Sequence, residues 1–393
     1  IAWLRSTAVR RELPALALLA GVVIVGLYLR IANNDYGLPF VYNMDEGSHF
    51  TSRAVGMFAN GGDPGYLQNP SAFTYLVHLA LRVQFGGFNV FGDLPSVAKQ
   101  FSIDPTGIYE TARTLAALIC AVGIVACYYA ARRLWGRREA ICAAAVLCFA
   151  FIPVAYSRVA VTDVGTLAAV SLAVYFSIRV YDRGKLRDYL LAGAMVGIAI
   201  GFKYTAGLVV LPLLLASGLR LLGKSPHIEA DSSAGAQGPP ISKQLLFLGG
   251  GLIAVVVLFA LTTPYFFLDF DFAQRQLNGQ ADLATVTKLG QEGDVGPLYY
   301  LQTLTWGFGW VPLGAAILGF SILVRRQMWV AFLLLLFPVA LFVYLSLQAR
   351  FFGRWFLPAY PVLAMLAGYG IARAADKVPD RRWWRGTALA LIA

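Results

Sequence analysis

Long apolar runs alternate with short polar segments along most of the chain. The runs are roughly 18–22 residues long, which is the length that a helix needs to cross the hydrocarbon core of a bilayer. They are continuous rather than alternating in hydrophobicity, and this excludes a β-barrel. The pattern therefore predicts an all-α polytopic membrane protein with a bundle of about 10–11 transmembrane helices. The predicted full spans are 13–32, 113–134, 140–156, 164–180, two within 190–222, and then 245–261, 299–324, 329–345 and 356–371.

Composition agrees with this class. Hydrophobic residues make up 58% of the chain and charged residues 13%, whereas a soluble domain carries about 25% charged residues. The net charge of +11 would suggest nucleic acid in a soluble protein. In a membrane protein, loop arginines and lysines set the orientation, so no nucleic-acid partner is predicted.

Arginine clusters fall on one side of the predicted spans. Arg5, Arg10 and Arg11 precede the first span, and later clusters follow the spans that return to the same side. Cytoplasmic loops carry an excess of Lys and Arg. We therefore expect a multi-pass protein of the plasma membrane whose N-terminus is cytoplasmic and whose residues from 33 onward reach the outer face.

The polar segments between the spans define the domain organisation. We expect a single membrane domain over 1–393, as a fragment cut at both ends. The first outer loop is predicted at 33–111, and its short apolar segment 71–85 is typical of a helix that lies in the membrane interface. A segment at 224–243 that is rich in Gly, Ser, Ala and Pro is predicted to be a flexible cytoplasmic loop. A second large outer loop is predicted at 264–298.

Two adjacent carboxylates, Asp45 and Glu46, follow closely after the first span. A carboxylate at such a position is a candidate general base in a membrane enzyme. Glu46 is then expected to orient Asp45 or to raise its pKa through like-charge proximity. The alternative is that both are ordinary solvated loop residues.

The short outer turns between spans carry four basic residues against the general trend: Arg158, Lys203, Arg350 and Arg354. An ionisable group at the membrane edge is a candidate functional site; the alternative is that its side chain reaches the lipid head groups. Asp163 is predicted on the same face. A base with a group of cations suits the displacement of a phosphate leaving group, because the cations stabilise the charge that grows on the phosphate.

The donor must reach a site at the membrane edge without a nucleotide pool. A sugar carried on a polyprenyl phosphate meets this condition, and the sequence contains no glycine-rich phosphate cradle for a nucleotide. The predicted partners are therefore a polyprenyl-phosphate sugar, the membrane lipids and an acceptor hydroxyl on a protein, lipid or glycan.

The order of these motifs resembles the GT-C class of membrane glycosyltransferases. It is most similar to the dolichyl-phosphate-mannose protein mannosyltransferase superfamily, which includes lipid A aminoarabinose transferases. The likeness rests on an acidic pair at the start of the first outer loop, a Pro-containing stretch before an interfacial helix, and three later turns. In this sequence these segments are 45–46, 69–75, 157–163, 197–205 and 354–361.

The resemblance implies a role for each matching residue. Asp45 would be the general base on the acceptor, and Asp163 a second acidic group near the acceptor or a metal. Arg354 and Lys203 would contact the donor phosphate, and transfer of the hexosyl or pentosyl group would invert the anomeric centre. A divalent metal ion is a possible cofactor; its candidate ligands are Asp45, His49 and Asp163.

A different class of function remains open from the sequence. A multispan transporter or flippase for a lipid-linked sugar would use the same charges to bind cargo without catalysis. The long first outer loop, the lack of an internal repeat and the scarcity of charges within the spans favour the enzyme.

Overall fold

Helices form all the regular structure in the part of the chain that the computed structural model describes, which comprises residues 7–87, 89, 91–92, 94–225 and 240–377. In chain order they are α1 (Thr7–Ile31), α2 (Ser52–Gly56), α3 (Ala72–Gly86), α4 (Pro95–Ile103), α5 (Thr106–Leu134), α6 (Arg137–Phe149), α7 (Phe151–Tyr156), α8 (Gly165–Arg183), α9 (Leu186–Phe202), α10 (Val210–Leu221), α11 (Ile241–Thr262), α12 (Tyr265–Leu268), α13 (Phe270–Ala284), α14 (Gly296–Leu304), α15 (Trp310–Arg326), α16 (Met328–Ser346) and α17 (Tyr360–Ala375).

Eight helical segments of the described chain are long and apolar enough to cross a membrane. The protein is therefore a multi-pass membrane protein of the predicted all-α class. Two other predicted spans differ from this group. α9 has 17 residues. The predicted span 140–156 is two helices, α6 and α7, because the backbone leaves the helical conformation at Ala150. Pro153 lies in the first turn of α7, where its missing N–H breaks no hydrogen bond within the helix.

Close helix packing depends on small residues. A Cβ atom added to Gly370 of α17 would lie 2.0 Å from the carbonyl oxygen of Ala315 in α15, and one added to Gly193 of α9 would lie 1.9 Å from the carbonyl oxygen of Gly251 in α11. Backbones that approach this closely gain van der Waals contact, which is a main source of helix association in lipid. α17 lies deep in the bundle, whereas α11 packs along one face and presents most of its surface to the surroundings.

The loops contain more helix than the sequence predicted. α3 occupies the segment 71–85 where an interfacial helix was expected, and α4 was not predicted. The second large loop, for which no helix was predicted, carries α13, and the side chain of its N-cap residue Asp269 accepts a hydrogen bond from the amide of Phe272. Residues 226–239, most of the predicted flexible loop, lie outside the described residues.

α5 separates two chemically different ends of the bundle. Arg113, near its beginning, contacts the acidic motif of the first loop, whereas its last turn carries Arg132 and Arg133. The helix has 29 residues, which corresponds to about 43 Å at 1.5 Å per residue. From Arg113 to Arg132 the backbone rises about 28 Å at 1.5 Å per residue. The acidic motif and these arginines are therefore separated by about the thickness of the hydrocarbon core of a bilayer.

Candidate active site

A polar cavity of about 180 Å³ lies at the end of the bundle that carries the acidic motif. Six of the residues singled out from the sequence line it: Asp45, His49, Asp163, Lys203, Arg350 and Arg354. These residues are separated by up to 309 positions in the chain, so the fold brings them together. The remaining lining residues are Phe50, Tyr66, Gln68, Asn69, Gln280, Phe352 and Trp355.

Four charged side chains form an alternating chain across the cavity. Arg354 donates from Nη2 to Oδ2 of Asp45, and its Nε lies 3.7 Å from Oδ2 of Asp163. Lys203 Nζ donates to Oδ1 of Asp163 at 2.5 Å. Each buried charge is thereby opposed by one of the other sign, which offsets its cost of desolvation. Two acids and two bases are held next to one another with no net charge.

Three of these residues occupy breaks between helices. Asp163 lies in the short 3-10 turn Thr162–Val164 and Lys203 has an extended backbone after α9. Arg354 lies in the 3-10 turn Gly353–Ala359. At such a break the direction of the side chain is no longer fixed by the regular repeat of a continuous helix. Charged groups from distant spans can therefore point toward one space at the membrane edge.

Aromatic rings surround the two cations. The guanidinium carbon of Arg354 lies 5.1 Å from the ring centre of Phe352 and 5.8 Å from that of Tyr156. The Lys203 ammonium lies 5.8 Å from the ring centre of Trp355. These distances fall within the range of cation–π attraction.

His49 lines the cavity beside Asp45. Its ring stacks on Tyr66 with centres 4.8 Å apart, and its Nε2 lies 3.8 Å from Oδ1 of Asp45. Burial lowers the pKa of His49 below 6.5, and this outweighs the opposite effect of the Asp45 carboxylate. Burial also raises the pKa of Tyr66 to about 12. Both rings are therefore uncharged near pH 7.

The lowered pKa of His49 predicts acid sensitivity of the folded protein. The unfolded chain binds more protons than the folded chain as the pH falls through 6.5, so the free energy of unfolding is expected to fall between pH 7.5 and pH 5.5. The unfolding temperature of the purified protein measures this. In His49→Gln the acid-induced drop is expected to be smaller by about 1–2 °C. Equal drops in the two proteins would contradict the assignment.

Glu46 does not line the cavity, which corrects the expectation that it orients Asp45. It is fully buried, and its two oxygens accept from Nε and Nη2 of Arg113 at 2.7 and 2.8 Å. Oε1 also accepts from the amide of Ala160 at 2.8 Å. Its hydrogen bonds therefore fasten the first loop to α5 and to the segment that leads to Asp163. This is a structural position, and we remove Glu46 from the catalytic group.

Arg158 also lies outside the cavity lining, which corrects its predicted contact with the donor phosphate. Its guanidinium donates to the carbonyl oxygens of Leu29 at 2.5 Å and Ala32 at 2.8 Å. These carbonyls belong to the last turn of α1 and the residue after it, where acceptors lack partners within the helix. Arg158 therefore supplies the hydrogen-bond donors for the free carbonyl oxygens at the C-terminal end of α1.

The metal prediction rests on Asp45, His49 and Asp163. Within the described residues no group of three or more His, Cys, Asp or Glu side chains is placed to hold a metal ion. Both carboxylates already face Arg354, and Asp163 also faces Lys203. The arrangement does not fit a metal site, and we derive no step through a metal ion.

A second cavity of about 280 Å³ adjoins the polar one. The two share Gln68, Asn69, Lys203, Gln280 and Trp355. The wall of the second cavity that lies away from the charges is mostly apolar, formed by Leu277, Ala281 and Ala284 of α13 with Tyr344 and Leu345 of α16.

The contribution of α13 was missed because its segment was interpreted as loop. The signal was available, since apolar residues recur at Phe270, Ala273, Leu277, Ala281 and Ala284. This spacing is that of one helical face.

Comparison with known proteins agrees with this architecture. Residues 109–229 match the family described as Dolichyl-phosphate-mannose-protein mannosyltransferase. No curated protein sequence matches the chain significantly.

Several solved structures share the fold. ArnT from Cupriavidus metallidurans in the apo state has a TM-score of 0.61 at 19% identity, covering 98% of this chain and 63% of that one. The same protein bound to undecaprenyl phosphate gives 0.58 and 18%, with coverage of 98% and 63%. Archaeoglobus fulgidus AglB, an oligosaccharyltransferase in complex with an inhibitory peptide and a dolichol-phosphate, gives 0.59 and 14%, with coverage of 97% and 54%.

The chain thus spans between about half and two thirds of the length of the solved structures it matches. It shares the fold of the solved ArnT and AglB structures, and the likeness of fold expected from its motifs is confirmed.

Proposed function

We propose that this protein is an inverting glycosyltransferase that moves a sugar from a polyprenyl-phosphate donor to a hydroxyl acceptor. The observation that carries the proposal is the shared cavity, in which the Asp45 carboxylate faces the cations Arg354 and Lys203. Transfer of a phosphate-linked sugar needs a proton acceptor and a stabiliser of the leaving phosphate. Both kinds of group are present within one small space.

The adjoining cavity supports a donor that is attached to lipid. A polyprenyl chain would lie against the apolar residues of α13 and α16, while its phosphate would meet Lys203, which belongs to both cavities. The solved ArnT and AglB structures contain undecaprenyl phosphate and a dolichol-phosphate, respectively. Their shared fold makes a polyprenyl phosphate the best candidate carrier here.

The reaction follows from the geometry. Asp45 would take the proton of the acceptor hydroxyl through Oδ1, because Oδ2 accepts from Arg354. The acceptor oxygen then bonds to the anomeric carbon as the bond from that carbon to the phosphate oxygen breaks. The electron pair stays on the leaving phosphate, where Arg354 and Lys203 stabilise the charge. Attack from the side opposite the phosphate inverts the anomeric centre.

The distribution of arginines supports a site on the outer face. Arg132 and Arg133 lie at the opposite end of α5 from the acidic motif, and clustered arginines favour the cytoplasmic side. The chain would therefore have its N-terminus inside and its cavity at the extracytoplasmic edge of the plasma membrane. There the donor must be delivered on a lipid.

An activity assay in detergent distinguishes a glycosyltransferase from a transporter or flippase. Purified protein is incubated with a polyprenyl-phosphate sugar labelled in the sugar and with a mixture of candidate acceptors. A glycosyltransferase releases free polyprenyl phosphate and moves the label to an acceptor. A transporter would leave the donor intact, because transport does not break the bond between the sugar and the phosphate. An intact donor under all acceptor conditions would contradict the proposal.

Substitution of Arg354 tests its role toward the phosphate. Arg354→Lys keeps the charge but loses the planar two-point geometry that suits phosphate, so we expect the KM for donor to rise about tenfold and kcat to fall about tenfold or more. Steady-state kinetics at varied donor concentration measures both. Arg275→Lys, on the exposed side of α13, is the matched control and should keep wild-type values. Unchanged kinetics in Arg354→Lys would remove this residue from phosphate binding.

A further inference from the structure

A second site lies at the other end of α5, far from the proposed active site. An apolar groove of about 600 Å³ runs along α5 and α8, with Leu118, Val122 and Leu172 among its lining residues. A polar cavity of about 470 Å³ lies beside it and is lined by Arg132, Arg133 and Trp135 among others. Tyr129 and Tyr175 line both spaces, so the groove and the cavity adjoin.

The groove has the depth of one leaflet. From Leu118 to Tyr129 the α5 backbone rises about 16 Å at 1.5 Å per residue. This is close to half of the roughly 30 Å hydrocarbon core of a bilayer. An acyl chain of a phospholipid in the adjacent leaflet would fill that length.

Among the charged side chains that line the polar cavity, Arg132 and Arg133 outnumber Glu12, and the ion-pair partners just outside the lining do not remove this positive excess. Glu12 is shared between Arg132, at 2.9 Å, and Arg137, at 2.6 Å. Asp182 is likewise shared between Arg133 and Arg183. Four guanidinium groups thus meet two carboxylates, and Arg132 and Arg133 keep about a third of their side-chain surface exposed. The surplus favours an anionic group at this position.

An unpartnered hydroxyl faces the same space. Tyr128 lines the polar cavity and is 1% exposed, and its Oη has no hydrogen-bond partner among the described residues. A buried hydroxyl without a partner costs free energy, which a bound acceptor would remove. A phosphate oxygen beside Arg132 and Arg133 is such an acceptor.

We propose that this site binds an anionic glycerophospholipid, with an acyl chain in the groove of α5 and α8 and its phosphate at Arg132 and Arg133. Aromatic residues flank the junction at head-group depth, where Trp and Tyr are favoured. Basic pockets between spans on the cytoplasmic side are typical sites for anionic lipid head groups. The site does not depend on the proposed sugar transfer.

Native mass spectrometry of the delipidated, full-length chain tests the proposal with two lipids of identical acyl chains. We expect dioleoyl-phosphatidylglycerol to bind roughly 10–30-fold more tightly than dioleoyl-phosphatidylcholine, since each cation near the phosphate favours the anionic lipid. Equal binding of the two lipids would overturn the proposal.

Two variants separate the head group from the chain. Arg132→Gln with Arg133→Gln should remove the preference for the anionic lipid. Ala121→Trp fills the groove and should weaken the binding of both lipids at least tenfold. It does not alter an ion pair. Val256→Trp on the exposed face of α11 is the matched control and should bind as wild type. If Ala121→Trp and Val256→Trp bind equally, the groove does not hold the acyl chain.

Discussion

Asp45→Asn is expected to lower sugar transfer by about 10²–10⁴-fold, which is the range that a positioned general base contributes. Asparagine has nearly the same shape but cannot take the acceptor proton. Arg354 keeps Asp163 as a neighbour at 3.7 Å, so the cation is not released from the cavity. We therefore expect a loss in kcat while the KM for donor stays within a few-fold of wild type.

The measurement is release of free polyprenyl phosphate by purified wild type and variant at saturating donor. Asp271→Asn is the matched control, because Asp271 is exposed on α13 and lines neither cavity. It should retain wild-type turnover. A fully active Asp45→Asn protein would assign the base to another group and would end the mechanism proposed above.

Glu46→Gln is expected to destabilise the fold by about 3–5 kcal/mol, the cost of leaving one partner of a buried ion pair uncompensated. Glu46 has no exposed surface and the side chain of Arg113 is 4% exposed. Glutamine keeps one acceptor oxygen but leaves the guanidinium charge of Arg113 buried without a counter-charge. The loss concerns folding, in contrast to that of Asp45→Asn.

Thermal unfolding in detergent, followed together with the folded fraction from gel filtration, measures this effect. Glu46→Gln combined with Arg113→Met should recover part of the stability, because the orphaned charge is removed with it. Glu292→Gln, in an exposed turn, should leave the unfolding temperature unchanged. A stably folded but inactive Glu46→Gln protein would return Glu46 to the catalytic group.

The pattern of spans was predictable because the length of a continuous apolar run shows directly whether it can cross a bilayer. The turn at Lys203 was also predictable, since a lysine between two apolar runs marks a membrane edge. The separation of α6 from α7 was not recognised, although Pro153 was visible. Proline inside an apolar run is compatible with a kinked span as well as with a break. Only the packing around Ala150 decides between them.

The site was partly predictable for a similar reason. Sidedness along the chain placed Asp45, Asp163, Lys203 and Arg354 on one face, and the fold brings them into one cavity. Sidedness cannot tell Asp45 from Glu46. Neighbouring residues of a helical turn point about 100° apart, so one carboxylate faces the cavity and the other faces Arg113. The ion pair with Arg113 distinguishes Glu46 from Asp45, and the sequence does not show that these two distant positions are in contact.

The bonds of Glu46 to Arg113 and to the amide of Ala160 tie both acidic segments of the cavity to a single anchor. The Asp45 carboxylate takes no part in that anchor. An Asp45→Asn protein would then be a stalled enzyme with an undamaged frame, suited to capturing donor and acceptor side by side for structure determination. Within this short segment, the side chain at position 45 could therefore be changed without disturbing the anchor that Glu46 forms.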